Sequence, residues 1–355
     1  MIRGRLTQLV EASLAVSPSA SRCSKSASPS CVSALRASAT GAITLVGVIT
    51  ALAGGVGAAR FLRGLVQVVT PRDVTAVVNT GDDDHFHGLL VCPDLDTVVY
   101  TMAGAENPDT GWGLADETFT CMTALERLGL PTWFRLGDRD LATHLARAER
   151  RDAGATLSEI TAELARTWGV ETRILPMTDD PVGTRMTVAD GTELHMQEWF
   201  VRELAEPRVR AVRFDGAEDA APAPGVLDAI ADADTVLVCP SNPIISIGPI
   251  LAVPRIRDAL RARRDHVVAV SPIIAGRTVK GPADRLMADL GLEPSCVGVA
   301  RAYADFCAAL VIDDEDADRV HDVEREGVRA VVTDTLMRDS RIAAALARHS
   351  LAAVA

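Results

Sequence analysis

The sequence predicts an α/β protein: a Rossmann-like, mostly parallel sheet with helices on both faces. Three observations carry that expectation. From Val46 onward, short β-rich apolar runs alternate with segments of helical periodicity, which is the signature of βαβ units. The stretch 47–65, "GVITALAGGVGAARFLRGL", passes from a buried-strand pattern through a tight glycine turn into an amphipathic helix. Later apolar runs end in polar, proline-bearing loops, which collects specified loops on the sheet edge where α/β proteins bind ligands.

Taken in order, residues 1–45 stand apart. They are rich in Ser and Ala, and Glu11 is the only acid before the glycine turn. This reads as a disordered extension; a basic, acid-poor targeting peptide is the alternative. Residues 46–355 form the folded domain. "VITALA" is the first strand, a helix follows over 58–69, and "DVTAVVN" is the second strand. "CPDLDTVVYTM" is a helix opened by Pro93 with acids in its first turn. Residues 112–169 read as almost entirely helical, with Thr156 and Glu159 at capping-box spacing. Residues 173–214 read as β-structure around an Asp190-Gly191 hairpin turn. Together these form a helical and β-hairpin insertion, about residues 110–215, over the ligand edge. "AEDAAPAPG" returns the chain to the core, where "ADTVLVC", "RDHVVAV" and "SCVGVA" are further short β-rich runs.

Composition narrows the function. A net charge of −12 excludes a nucleic-acid polymer as partner, since that needs basic stripes. A small phosphorylated ligand held by glycine amides and a metal remains compatible. Seven scattered cysteines without a C-x-x-C pair indicate free thiols in a reducing compartment, the cytoplasm, rather than disulfides or zinc. No apolar run reaches 18 residues, so no membrane-spanning helix is expected.

Four stretches could carry chemistry. Gly54, Gly55 and Gly57 end the first strand ahead of a helix N-terminus, where free amides and the helix dipole favour a phosphate. Arg60 stands where the dinucleotide fingerprint has its third glycine, and no G-K-[ST] follows. A plain tight strand–helix connection also fits this turn. The second strand ends in "NTGDDDHFHG", so Asp82, Asp83 and Asp84 lie at the ligand edge, and Asp94 and Asp96 add two more acids. Adjacent carboxylates are costly when buried without a cation, and hard oxygen ligands suit Mg2+. Solvated loop acids and dipole-complementing helix-start acids are the alternative, and His85 and His87 read as loop residues. In "RLGDRDLATH", Asp140 and His144 share a helix face; alone this is an ordinary charged helix start. "CPSNPIISIGPIL", with Ser241 and Asn242, and "VAVSPIIAGRTVKGPADRL" are long loops on the same edge, which points to a shared pocket.

In this order "GGVGAARFL", "NTGDD", "CPDLDT", "LGDRDLATH", "ILPMTDD", "HMQEWFV", "PSNPIISIGPIL", "SPIIAG", "KGPADRLM" and "VVTDTLMRD" resemble the CofD/FbiA family. Its members are 2-phospho-L-lactate transferases or, in actinobacteria, phosphoenolpyruvate transferases of coenzyme F-420 synthesis. The resemblance implies a CofD-like transferase domain over 46–355, Mg2+ as cofactor, and a homodimer. It also implies two small-molecule partners: a guanosine diphosphate-linked donor of enolpyruvate or lactate, and the deazaflavin FO as acceptor. A ribityl hydroxyl of FO attacks the donor's distal phosphorus and GMP leaves. Carried onto this chain, Asp96 and Arg135 bind the deazaflavin; the loop chemistry read above assigns Gly54, Gly55, Gly57, Ser241 and Asn242 to the nucleotide side. Asp82, Asp83 and Asp94 are the metal ligands, and Asp82, Asp83 and Asp96 the catalytic carboxylates. "GDDDHFHG" departs from the family pattern, which leaves open which of Asp82, Asp83 and Asp84 is the ligand. The competing class is the YvcK-like regulators, which share the glycine turn and bind a nucleotide sugar without transferring it. "CPDLDT" together with "LGDRDLATH" separates the two.

Overall fold

The computed structural model describes residues 47–354, together with the backbone of two three-residue strands, Leu35–Ala37 and Ile43–Leu45, which pair antiparallel. That pair falls within the stretch read as a disordered extension; the rest of residues 1–46 lies outside the described ones.

Seven strands form the main sheet: β1 (Ile49–Ala53), β2 (Val74–Val78), β3 (Arg173–Pro176), β4 (Thr235–Val238), β5 (Val267–Val270), β6 (Ala309–Ile312) and β7 (Arg329–Val332). Their order is β7-β6-β5-β4-β1-β2-β3, and every pairing is parallel. Ile49 lies opposite Val74 on one side and Thr235 on the other. The chain moves outward one way from β1 and the other way from β4. A crevice therefore opens beyond the carboxyl ends of this central pair.

Both faces of the sheet are covered, as parallel strands require. Leu52, Val77, Val236, Val238 and Leu310 face one core with the helices Val226–Asp232, Ile256–Ala262 and Cys296–Tyr303. Their neighbours Ala51, Ala53, Ala76, Leu237 and Val311 face the other, under α1 (Gly55–Leu65), α2 (Pro93–Met102) and the helix Ser340–Ala352. Burying each Val or Leu here is worth about 1.5–3 kcal/mol. The helix Ser340–Ala352 crosses α1 closely, so that a Cβ on Gly64 would stand 2.5 Å from the Ala343 carbonyl carbon.

The insertion is divided where the sequence reading made it continuous. Arg173–Pro176 is the edge strand β3 of the parallel sheet, because Ile174 and Leu175 each find an apolar face to enter. Between β2 and β3 lie a hairpin (Asp84–Phe86 with Leu89–Val91), α2, α3 (Thr120–Arg127), α4 (Asp140–Asp152) and α5 (Leu157–Thr167). Residues 128–139 are loop, so this region is less helical than its periodicity indicated. Between β3 and β4 an antiparallel sheet pairs Val209–Asp215, Gly183–Val188 and Glu193–His195. The Asp190-Gly191 turn is present, with Gly191 at φ 91° and Asp190 Oδ1 accepting the Thr192 amide at 2.8 Å. The Thr156–Glu159 capping box also forms.

Two further differences are local. α1 begins at Gly55 rather than at residue 58. "SCVGVA" is helical: the Ser295 hydroxyl accepts the Gly298 amide and caps Cys296–Tyr303, and the next strand is β6. Among the described residues Cys92, Cys121, Cys239, Cys296 and Cys307 are free thiols. No described helix is long and apolar enough to cross a membrane.

Candidate functional site

A cavity of about 570 Å³ opens at the carboxyl edge of the sheet. Gly54, Gly55, Gly57, Asp82, Asp94, Asp96, Arg135, Ser241 and Asn242 all border it, and Asp83 does not.

The glycine turn is shaped first by packing. A Cβ on Gly54 would stand 2.7 Å from Ser246 Cβ, and one on Gly57 would stand 2.5 Å from the Pro240 carbonyl oxygen. Gly55 has open space around it but adopts φ 73°, which costs other residues about 1–2 kcal/mol. The Gly55 amide is already engaged, donating to Asp94 Oδ1 at 2.9 Å. α1 has no side-chain cap and no acid in its first turn, so the amides of Val56 and Gly57 remain for an anionic ligand. Ser241 serves the turn itself, its Oγ donating to the Gly54 carbonyl at 2.9 Å. Asn242 Oδ1 accepts the Ile244 amide at 2.9 Å, while its buried Nδ2 has no partner.

The aspartates separate by environment. Asp82 is 4% exposed and its Oδ1 has no partner. Burial, then the neighbouring Asp94 and Asp83 carboxylates, raise its pKa well above the usual range. Asp94 is held at both oxygens, Oδ2 accepting from Asn79 Nδ2 at 2.9 Å. Burial still pushes its pKa up to about 6, against those two hydrogen bonds. Asp83 lies off the cavity beside the Cys92 thiol, its pKa raised by burial. Asp84 faces the antiparallel sheet, its Oδ2 3.2 Å from His195 Nδ1. Of the three consecutive acids, only Asp82 reaches the cavity. Both histidines are exposed: His87 is in the hairpin turn, whereas His85, expected in a loop, lies in the strand Asp84–Phe86 opposite Leu90.

A metal fits this arrangement as a shared ligand rather than as a caged ion. Among the described residues no three His, Cys, Asp or Glu side chains form a ready-made cluster. Asp82, with its orphaned Oδ1, and Asp94 supply the one or two carboxylates that Mg2+ takes when substrate phosphates complete its shell. Two buried acids with raised pKa values side by side are a site short of positive charge.

Asp96 belongs to a different network. It is 6% exposed, and its Oδ1 accepts from Arg147 Nη2. Arg147 is 1% exposed; burial works against its charge, but Asp96, with Cys92 and Asp83 nearby, offsets that and the net effect raises its pKa. Arg147 Nη1 also donates to the Leu90 carbonyl at 3.3 Å and to His144 Nδ1 at 3.0 Å. A guanidinium only donates, so His144 Nδ1 accepts and the ring proton sits on Nε2, 3.3 Å from Asp140 Oδ2. Tyr100 OH in turn donates to Asp140 Oδ1 at 2.7 Å. Asp96 Oδ2 has no hydrogen bond, standing 3.8 Å from His144 Nδ1. The start of α4 is thus no ordinary charged helix: Asp140, His144 and Arg147 turn inward while Leu145, 58% exposed, turns out. That inversion, with charges inward and a leucine outward, is the signal in the sequence by which the network can be found. Asn79, Tyr100 and Arg147 were missed.

Arg135 is exposed, with its guanidinium 4.1 Å from the centre of the Phe119 ring. Phe134, Met196, Phe200 and Val201 continue the wall as an apolar surface.

An open parallel sheet with an acidic, amide-bearing cavity at its switch point defines a Rossmann-like ligand-binding α/β protein. The chain belongs to the CofD family: residues 49–350 match the family described as 2-phospho-L-lactate transferase CofD. It is 47% identical over 310 residues to the phosphoenolpyruvate transferase of Kitasatospora aureofaciens, across 86% of this chain and 97% of that protein. It is 49% identical over 285 residues to that of Thermobifida fusca, across 77% and 88%. A Bacillus halodurans protein of the UPF0052 family, 18% identical, superposes with a TM-score of 0.57 over 85% of this chain and 98% of that one. That likeness is one of fold.

Proposed function

We propose that this chain transfers a phosphoenolpyruvyl or 2-phospho-L-lactyl group from a guanosine diphosphate ester to the ribityl hydroxyl of the deazaflavin FO, releasing GMP, in coenzyme F-420 synthesis. The observation that carries the reading is Asp96: a cavity carboxylate with one oxygen held by buried Arg147 and the other unengaged. The same cavity carries an apolar wall suited to a flat ring and a glycine turn suited to a diphosphate. In the step, the hydroxyl oxygen forms a bond to the distal phosphorus, the bond from that phosphorus to the GMP oxygen breaks, and the hydroxyl proton passes to the Asp96 carboxylate. Phosphoryl transfer asks for positioning and charge neutralisation more than for covalent help. Asp82 and Asp94 would hold Mg2+, which when bound neutralises the diphosphate. The Val56 and Gly57 amides and Asn242 Nδ2 orient the nucleotide, and Arg135 with Phe134 faces the acceptor. Relatives named phosphoenolpyruvate transferase at 47–49% identity support transfer over regulation, and the enolpyruvyl donor over the lactyl one.

The test is turnover of purified protein with FO, Mg2+ and each donor in parallel, with product masses read out. One donor yields product, and product is lost with EDTA and in Asp96→Ala. A protein that makes no product yet binds a nucleotide sugar and ignores FO is a regulator, and the proposal fails.

A further inference from the structure

Two cations, Arg60 and Lys280, meet on one stretch of the cavity wall. Arg60, in the second turn of α1, borders both the large cavity and a smaller one of about 250 Å³ beside it. Lys280 borders the large cavity from the loop after β5, its Nζ donating to the Thr110 carbonyl. Both converge on Gly111. A Cβ there would stand 3.3 Å from Arg60 Nη2 and 3.7 Å from Lys280 Nζ. Burial, then the Arg60 charge, lower the Lys280 pKa. The other arginines of the small cavity are matched, Arg63 with Glu106 and Arg338 with Asp334. Among the described residues neither Arg60 nor Lys280 has an acidic partner. Like charges drawn together in a partly buried wall are unfavourable until an anion joins them.

The cavity is therefore polarised. Asp82, Asp94, Asp96 and Asp140 bring negative charge to it, Arg135 lies by the apolar wall, and Arg60 and Lys280 bring positive charge near Gly111. Arg60 follows Val56 by four residues and Gly57 by three, so it lies on the helix face of those free amides, about 5 Å further along the axis. Its side chain leans back towards them. An anion at the amides would carry its neighbouring anionic group to Arg60, whose planar fork matches a carboxylate.

We propose that Arg60 and Lys280 form an anion subsite for the carboxylate of the donor's phospho-acid end, distinct from the place of its diphosphate. The assignment rests on the guanosine diphosphate donor proposed above. It makes the acid group itself a recognition element, shared by the enolpyruvyl and lactyl donors and absent from guanosine diphosphate.

Equilibrium titration of the full chain with Mg2+ tests it, using guanosine diphosphate, its 2-phospho-L-lactyl ester, and phosphoenolpyruvate alone. Arg60→Met and Lys280→Met should each weaken the ester by about 10–100-fold, the size of a lost charge-assisted hydrogen bond. Guanosine diphosphate should keep its wild-type affinity, and Lys280→Arg should keep ester binding. Thermal melting confirms that the variants are folded. Equal losses for ester and diphosphate would show that the cations hold the diphosphate, and unchanged ester binding would remove the subsite. If wild type binds neither nucleotide, the donor reading fails instead. The phosphoenolpyruvate arm then decides alone: weakening in both Met variants upholds the subsite, and no change overturns it.

Discussion

At the scale of single residues, the site depends on a carboxylate that is held without being used up. Arg147 occupies Asp96 Oδ1 and leaves Oδ2 unengaged, and His144 and Asp140 brace Arg147 from behind. Arg147→Met should destabilise the fold by about 3–5 kcal/mol, because a buried charge loses its partner. In the folded fraction it should lower kcat by about two orders of magnitude through misplacement of Asp96. Urea unfolding and single-turnover kinetics read the two effects separately, and a variant with wild-type kcat would dismiss the positioning role. Asp94 gives a pH prediction. Its carboxyl ionises at about 6 in the fold against 3.8 in the free chain. As pH rises through that interval the unfolded chain sheds its proton first, so ionisation there favours unfolding. Asp94→Asn removes the liability. Relative to wild type, the variant should gain stability from about pH 4 to pH 7, by on the order of 3 kcal/mol. Urea titrations in EDTA across that range check it; a constant difference would contradict the raised pKa.

Among elements, the strand–turn–helix of β1 and α1 joins the fold to the site. Gly57 lets α1 approach the Pro240 carbonyl, so Gly57→Ala must push α1 away from the loop after β4. A cost of about 1–3 kcal/mol is expected, with weaker nucleotide binding, measured by melting and by titration with guanosine diphosphate. Much at this scale was legible in the sequence because the signal was local. Pro93 opens α2, Thr156 and Glu159 box the start of α5, and Asp190-Gly191 turns its hairpin. Where the deciding partner is distant in sequence, reading failed. "SCVGVA" carries β-branched valines, but a serine cap and burial in one apolar core make it a helix. "RILP" looks like insertion until β2 offers it an edge. The glycines resemble a phosphate cradle in sequence, yet two of them answer to Ser246 and Pro240, residues nearly two hundred positions away. α4 hid its role because charges facing inward look, in one dimension, like charges facing water.

For the molecule as a whole, the ligand edge is left electrostatically incomplete, with acids on the cavity that only a cation and a phosphorylated ligand together would balance. Mg2+ alone should raise the melting temperature little, and guanosine diphosphate alone modestly. The pair should raise it by more than the sum, reaching about 2.7 kcal/mol of added stability at a hundred-fold excess over Kd. Asp82→Asn should abolish the extra increment, and strict additivity would argue against a bridging ion. The crossing of α1 by Ser340–Ala352, where Gly64 admits Ala343, has a consequence for synthesis. The helix that carries the glycine turn is roofed by one that comes far later in the chain, Ser340–Ala352. On the ribosome, Phe61, Leu62 and Leu65 stay uncovered on that side until residues near 350 emerge. Completion of the ligand edge thereby waits on a helix that follows α1 by about 275 residues, and the apolar face of α1 is an aggregation hazard in any chain that lacks that helix.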